Sequence, residues 1–325
     1  MPARFPTTAD VLAARRLLRG IALETPLEPS AGLAQESGAA EVRLKREEVQ
    51  PTGAFKIRGA HVKVAAIAAT NRDARLVTAS SGNHGIAAAA AAEHYGMRLT
   101  VLVGRSVSPA KLERLRALET DRVTVELFGR DTDECEAEGR RRDDAGEATY
   151  VSPYNDPDVI AGQATVGLEI VEAWPEVEMI VVPVGGGGLI SGIGLWAKAV
   201  RPGLRLVGVQ PSASPPMYAH LATGATAAMP IAPTLADGVA GNIERGSLTW
   251  KMCRQLVDEM VLVEEDEIAD AMRWALDVPH LLLEGSAVLG IAALRAGRVT
   301  GVAGRRVAVV TTGRGIDAAG LRGVL

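Results

Sequence analysis

The sequence predicts an α/β fold in which parallel strands are covered by helices on both faces. Short runs rich in Val, Ile and Leu alternate with segments of helical period along the chain. Parallel strands joined by crossover helices produce this alternation. Runs such as Ile180-Val181-Val182 place no polar residue at every second position, as strands buried on both faces require. Glycine- and hydroxyl-rich junctions end several strands, where open α/β sheets meet their ligands.

Strands are predicted at residues 75–80, 99–104, 123–128, 179–184, 205–209 and 307–311. Helical period fills residues 83–95, 109–118, 159–174, 189–200, 266–276 and 285–294. A further helix begins at about Ala54, after the turn signalled by Pro51 and Gly53. Ser108 followed by Pro109 has the form of an N-cap and a first helical residue. Residues 139–146 and 211–216 are the most linker-like. The first reads as a solvated helix end, because Asp143-Asp144 balances Arg140-Arg141-Arg142.

A chain of 325 residues suits one large domain or two intimately joined ones. Apolar residues make up 47% and aromatic ones 3%, so Ala, Val, Leu and Ile must build the core. The net charge of −4, with signs interspersed, carries no footprint for nucleic acid or an anionic membrane. Cys135 and Cys253 are too few for a disulfide framework, which points to a reducing, cytoplasmic compartment. Met1-Pro2-Ala3-Arg4 lacks an apolar signal core, and the apolar run at 86–92 is far below a membrane span.

The most informative segment is Pro51-Thr52-Gly53-Ala54-Phe55-Lys56-Ile57-Arg58-Gly59-Ala60. It puts Lys56 in the first turn of a helix, against the usual preference for acidic residues there. The helix N-terminus and partial burial both disfavour the ammonium and draw the amine toward a usable nucleophile. Taken alone, Lys56 reads more readily as a surface lysine; its neighbours overturn that.

Ala79-Ser80-Ser81-Gly82-Asn83-His84-Gly85 lies between a strand and a helix, where exposed N–H groups suit an anion such as a substrate carboxylate. Asn83 offers an amide to a phenolate-type oxygen, although the same residues serve equally as a helix cap. Gly185-Gly186-Gly187-Gly188-Leu189 lets the backbone wrap a phosphate at a helix start. A dinucleotide fingerprint is disfavoured, since Ser191 stands where the third glycine belongs. Thr311-Thr312-Gly313 ends the last strand in hydroxyls and a turn, which fits a ligand contact or a simple loop. Ser108-Pro109-Ala110-Lys111 matches an S-x-x-K pattern that capping already explains, and no H-x-x-x-H pair suggests zinc.

Together these segments resemble the serine/threonine dehydratase and serine racemase group of fold-type-II pyridoxal-phosphate-dependent enzymes. The group's P-x-G-[SA]-F-K-x-R-G-A segment matches the stretch around Lys56, and its S-x-G-N-H loop matches Ser80 to His84. Its glycine-rich loop matches Gly185 to Leu189, and its late strand-end hydroxyl matches Thr312. Similar stretches also occur at 156–163, 233–238 and 284–287, so the likeness spans nearly the whole chain in order. The later ones look most like the threonine dehydratase and hydroxyectoine-utilisation dehydratase branch.

The resemblance implies a tryptophan synthase β-like architecture of two doubly wound α/β domains with the cofactor in the cleft. Residues 1–74 plus 152–325 would form a large domain, and 75–151 an inserted, mobile small one. It implies that Lys56 carries pyridoxal phosphate as a Schiff base and acts as a base. Phe55 would pack near the ring, Asn83 would meet the ring oxygen, and Thr312 the pyridine nitrogen. Gly185, Gly186, Gly187, Gly188 and Leu189 would hold the phosphate, and Ser80, Ser81, Gly82, Asn83 and His84 the substrate carboxylate. The expected activity removes the β-hydroxyl and amino group of serine or threonine, leaving a 2-oxo acid and ammonia. Ser81, a base on the opposite face in racemases, keeps racemisation open, as is β-replacement; a catalytically inactive cofactor-binding protein is the rival of another class.

A cytoplasmic homodimer acting on a small amino acid is expected, with no nucleic acid, membrane or metal partner. Gln210 and Pro215-Pro216 stand where the racemase branch carries acidic cation ligands. Arg314 replaces the small residue of the group's S-G-G-N-[VI]-D ending, where it either meets a second substrate anion or faces solvent. The short stretch after the last strand leads us to expect no regulatory domain.

Overall fold

The computed structural model describes residues 4–224 and 227–325; Met1, Pro2 and Ala3 of the leader reading lie outside them. The chain opens with α1 (Thr8–Leu17), started by a reciprocal capping box between Thr7 and Asp10. Strand β1 (Leu27–Pro29), α2 (Ala31–Ser37) and β2 (Glu41–Arg46) follow, then α3 (Lys56–Thr70), which begins at Lys56 itself.

Next come β3 (Arg75–Ala79), α4 (Asn83–Tyr95), β4 (Arg98–Val103), α5 (Pro109–Arg116), β5 (Val123–Leu127), α6 (Thr132–Asp144) and β6 (Thr149–Tyr150). Their strands pair in parallel as a four-stranded sheet, β5-β4-β3-β6. Ser108 caps α5 by accepting from the Lys111 N–H, as its position before Pro109 predicts. The charged run at 139–146 ends α6, where Glu138 accepts from both Arg141 and Arg142.

The remainder contributes α7 (Pro157–Ala173), β7 (Met179–Pro183), α8 (Gly188–Val200), β8 (Arg205–Pro211), α9 (Pro216–Thr223) and α10 (Leu248–Leu256). After these lie β9 (Glu259–Val263), α11 (Glu265–Asp277), α12 (Leu289–Arg295), β10 (Arg306–Thr311) and α13 (Ala318–Arg322). They complete a six-stranded sheet, β1-β2-β10-β7-β8-β9, parallel except for β1 at one edge. The linker-like 211–216 is the end of β8 and the start of α9.

Both faces of this sheet are buried, as the non-alternating runs predict. Met179, Val181, Val207, Val209, Val307 and Val309 pack on one side with α11 and α12. Ile180, Val182, Leu206, Ala308 and Val310 pack on the other against Ile190 and Ile193 of α8.

The predicted helix at 285–294 is a 3-10 turn, Gly285–Val288, running into α12. The turn brings Gly285 so close to residue 235 that a Cβ would lie 2.1 Å from the Leu235 carbonyl oxygen. Strands β1, β2, β6 and β9 and helices α1, α2, α9, α10 and α13 were not among the predicted elements, and of α6 only the charged end was read. Among the described residues no helix is long and apolar enough to cross a membrane.

Candidate active site

The cleft lies at the C-terminal ends of strands from both sheets, where β3, β7 and β10 end in small or hydroxylated residues. Helix α3 delivers Lys56 to it. That helix is set by a backbone contact with α7, where a Cβ on Gly162 would stand 2.6 Å from the Gly59 Cα. Only glycine at this crossing lets the two helices approach so closely.

Lys56 is part-buried, donates its Nζ to the Pro153 carbonyl at 2.8 Å and lies 5.1 Å from the centroid of the Phe55 ring. Burial pulls its pKa down to about 8, opposed by the carboxyl groups of Glu136 and Glu284. A fraction of the amine is therefore neutral near pH 7, as a nucleophile or base requires.

Gly185–Gly188 wraps the opening of α8. Gly187 is the N-cap residue, with φ +85°, and no side chain caps the helix. The first N–H groups of α8 thus lack side-chain capping partners and suit an anion. A Cβ on Gly186 would meet the Tyr154 ring at 2.3 Å, and one on Gly187 would meet Met217 Cε at 2.7 Å. The opening of α4 repeats the device: Gly82 is the N-cap with no side-chain bond, and its own N–H donates to Ser80 Oγ at 3.2 Å.

The structure brings all the sequence-predicted residues to this cleft: Phe55, Lys56, Ser80, Ser81, Gly82, Asn83, His84, the four glycines, Leu189 and Thr312. Thr312 is buried; its carbonyl accepts from the Phe55 N–H at 3.2 Å, while its hydroxyl has no partner among the described residues. Ser81 has no hydrogen bond there either. His84 bonds the Val151 carbonyl through Nε2, and burial followed by the nearby Lys56 charge draws its pKa down to about 3, so it stays neutral. Asn83 donates Nδ2 to Glu284 at 2.8 Å and 3.1 Å. Glu284, whose pKa burial raises, also accepts from the Gly315 N–H at 2.6 Å.

Arg314 does not enter the cleft. It is exposed, with its aliphatic stem close over Gly53. Gln210 is buried with Oε1 accepting from the Tyr218 N–H, and no cluster of potential metal ligands occurs among the described residues.

Lining groups outside the predicted set include Tyr154, Asp133, Glu136, Asp237 and Glu284. Glu284 opens a stretch similar to the family's, which was a signal without a role. Glu136 lies in α6 just before the run at 139–146 that reads as a solvated helix end, and only its tertiary neighbours reveal it.

These residues fit pyridoxal phosphate. A lysine amine, a phosphate-sized loop that excludes side chains, and an unengaged neutral hydroxyl converge on one cleft. When bound, the cofactor supplies an electron sink that acidifies the Cα–H of an amino acid joined to it.

The family described as pyridoxal-phosphate dependent enzyme matches residues 18–313. An L-threonine ammonia-lyase of Thermotoga maritima is 40% identical over 311 residues, covering 96% of this chain and 76% of its own. An L-threonine ammonia-lyase of Geobacter sulfurreducens is 39% identical over 272 residues, 84% of this chain and 67% of its own. A solved maize serine racemase superposes with a TM-score of 0.90 at 28% identity, covering 98% of this chain and 97% of its own.

Proposed function

The chain belongs to the pyridoxal-phosphate-dependent enzymes, and from that premise we propose that it is an ammonia-lyase acting on serine or threonine. It removes the β-hydroxyl and amino group and releases a 2-oxo acid and ammonia. The observation that carries this reading is the convergence of Lys56 Nζ, the Gly185–Gly188 loop and the uncapped start of α4 on one cleft.

In this reading Lys56 holds the cofactor and then takes the Cα proton, for which an amine drawn down to about 8 is suited near neutral pH. The N–H groups of the Ser80–His84 loop hold the substrate carboxylate, and the glycine loop with Leu189 holds the cofactor phosphate. Phe55 packs beside the ring. Asn83, anchored by Glu284, would face the ring oxygen of a bound cofactor, and the Thr312 hydroxyl would meet its ring nitrogen. A neutral hydroxyl there leaves the ring less electron-demanding than a carboxylate would, which favours elimination over transamination.

Residues 75–151 act as a mobile domain over a body made of 1–74 and 152–325. Asn83 with Glu284 and Lys111 with Asp237 join helices of the small sheet to segments of the large one, and such a motion would have to break them. Closure would bring the Ser80–His84 loop onto the substrate and exclude water. We extend the reading to a cytoplasmic homodimer, which light scattering of the purified protein tests.

Racemisation is the second reading, favoured by the unpartnered Ser81 hydroxyl. The holoenzyme is incubated with D- and L-β-hydroxy amino acids, assaying 2-oxo acid and inverted amino acid separately. Oxo acid from serine or threonine is expected; neither product from any of them would refute the assignment. Ser81→Ala is expected to abolish inversion and spare elimination.

A further inference from the structure

We propose that Glu136 determines which substrate side chain this cleft accepts, admitting neutral β-hydroxy side chains and refusing a second carboxylate. The proposal rests on the ammonia-lyase reading and adds the substrate's charge to it.

Glu136 lines the cleft from α6 with its side chain 15% exposed. Its Oε2 accepts from Arg140 at 2.9 Å, while Oε1 has no hydrogen-bond partner among the described residues and is left to the cleft. The same Arg140 nitrogen reaches Glu244 at 2.9 Å, and the guanidinium stacks 5.4 Å from the Tyr150 ring. Arg140 itself is not part of the lining, so its charge is consumed behind Glu136.

The ionisable groups that do line the cleft leave a second substrate carboxylate without a partner. Lys56 is committed to the cofactor. His84 is neutral and bonded to Val151. Asp133, Glu136, Asp237 and Glu284 are acids, and Lys111, paired with Asp237, stands outside the lining. Arg314, the one sequence candidate for a second anion, lies over Gly53 at the surface. The first two anions, cofactor phosphate and α-carboxylate, are met by main-chain N–H groups. A third would enter a cleft lined by Glu136, itself 15% exposed, and by three further acids, where like charges repel.

The test compares kcat/KM of the holoenzyme for L-threonine and 3-hydroxyaspartate. A preference for threonine of about a hundredfold or more is expected, and Glu136→Gln, which leaves Arg140 paired with Glu244, should narrow that ratio by about tenfold. Calorimetric titration of both holoenzymes with malonate, an unreactive dianion, should show about tenfold tighter binding to the variant. A wild-type ratio within about threefold of one would overturn the proposal even if the variant failed to fold. So would a ratio and a malonate affinity unchanged by the substitution. Failure to eliminate serine or threonine would sink the ammonia-lyase reading instead, and malonate binding would then decide this one.

Discussion

Lys56 opens α3 with no acidic residue in the first turn to offset it. Burial and the helix terminus therefore act together on the amine. Since its pKa is lowered from 10.5 to about 8, the reactive neutral fraction grows as pH rises through that value. Cofactor loading of stripped apoprotein, followed by its imine absorption, should accelerate about tenfold between about pH 7 and about pH 9. An ordinary lysine would accelerate about a hundredfold over the same interval, and that steeper profile would contradict the assigned environment. Lys56→Ala should abolish both the absorption band and 2-oxo acid formation; a surviving band would remove Lys56 from its role.

The glycine loop between β7 and α8 acts as an element. Gly186 touches the Tyr154 ring, and the Tyr154 hydroxyl accepts from the Glu244 N–H at 2.9 Å. A methyl group at 186 therefore displaces a ring that is fixed at its far end. Gly186→Ala should weaken cofactor affinity at least about tenfold and cost about 1–3 kcal/mol of stability, the usual range for overpacking. Fluorescence titration and urea unfolding measure the two. Gly203→Ala, where a Cβ has nothing within 4 Å, is the matched control and should change neither. Equal effects at both positions would refute the packing argument.

At the scale of the whole molecule, a buried ionic cluster ties β2, α3 and α7 together beneath the site. Arg58 bonds Glu47 and Glu169, and Lys45 bonds Glu169 and the Thr25 carbonyl. None of these four side chains is more than 8% exposed. Burial favours protonation of Glu47, but the adjacent Arg58 charge outweighs it and holds the carboxyl below its ordinary range. Glu47 is thus depressed in the folded state, so its contribution is full above the ordinary glutamate range and is lost as pH falls below it. Arg58→Met leaves two buried carboxylates against one cation and should cost about 3–5 kcal/mol in urea unfolding near neutral pH. A loss below about 1 kcal/mol would show that the cluster is not the tie described.

The sequence by itself determined what local chemistry encodes. The buried central strands, the capped helices and the three strand-end motifs depend on neighbours a few residues apart, so pattern and spacing suffice to read them. The same locality brought out Lys56, the glycine loop, the Ser80–His84 loop and Thr312. Only the tertiary structure decided which charges are buried. Strand β2 was not predicted, and its Lys45 is 1% exposed, neutralised by Glu169 far along the chain. The sequence neither singles out Glu136 nor assigns Glu284 a role, and Arg314 read as a possible anion contact until its place over Gly53 removed it. A charge's environment is set by partners on other elements, and no spacing along the chain records them.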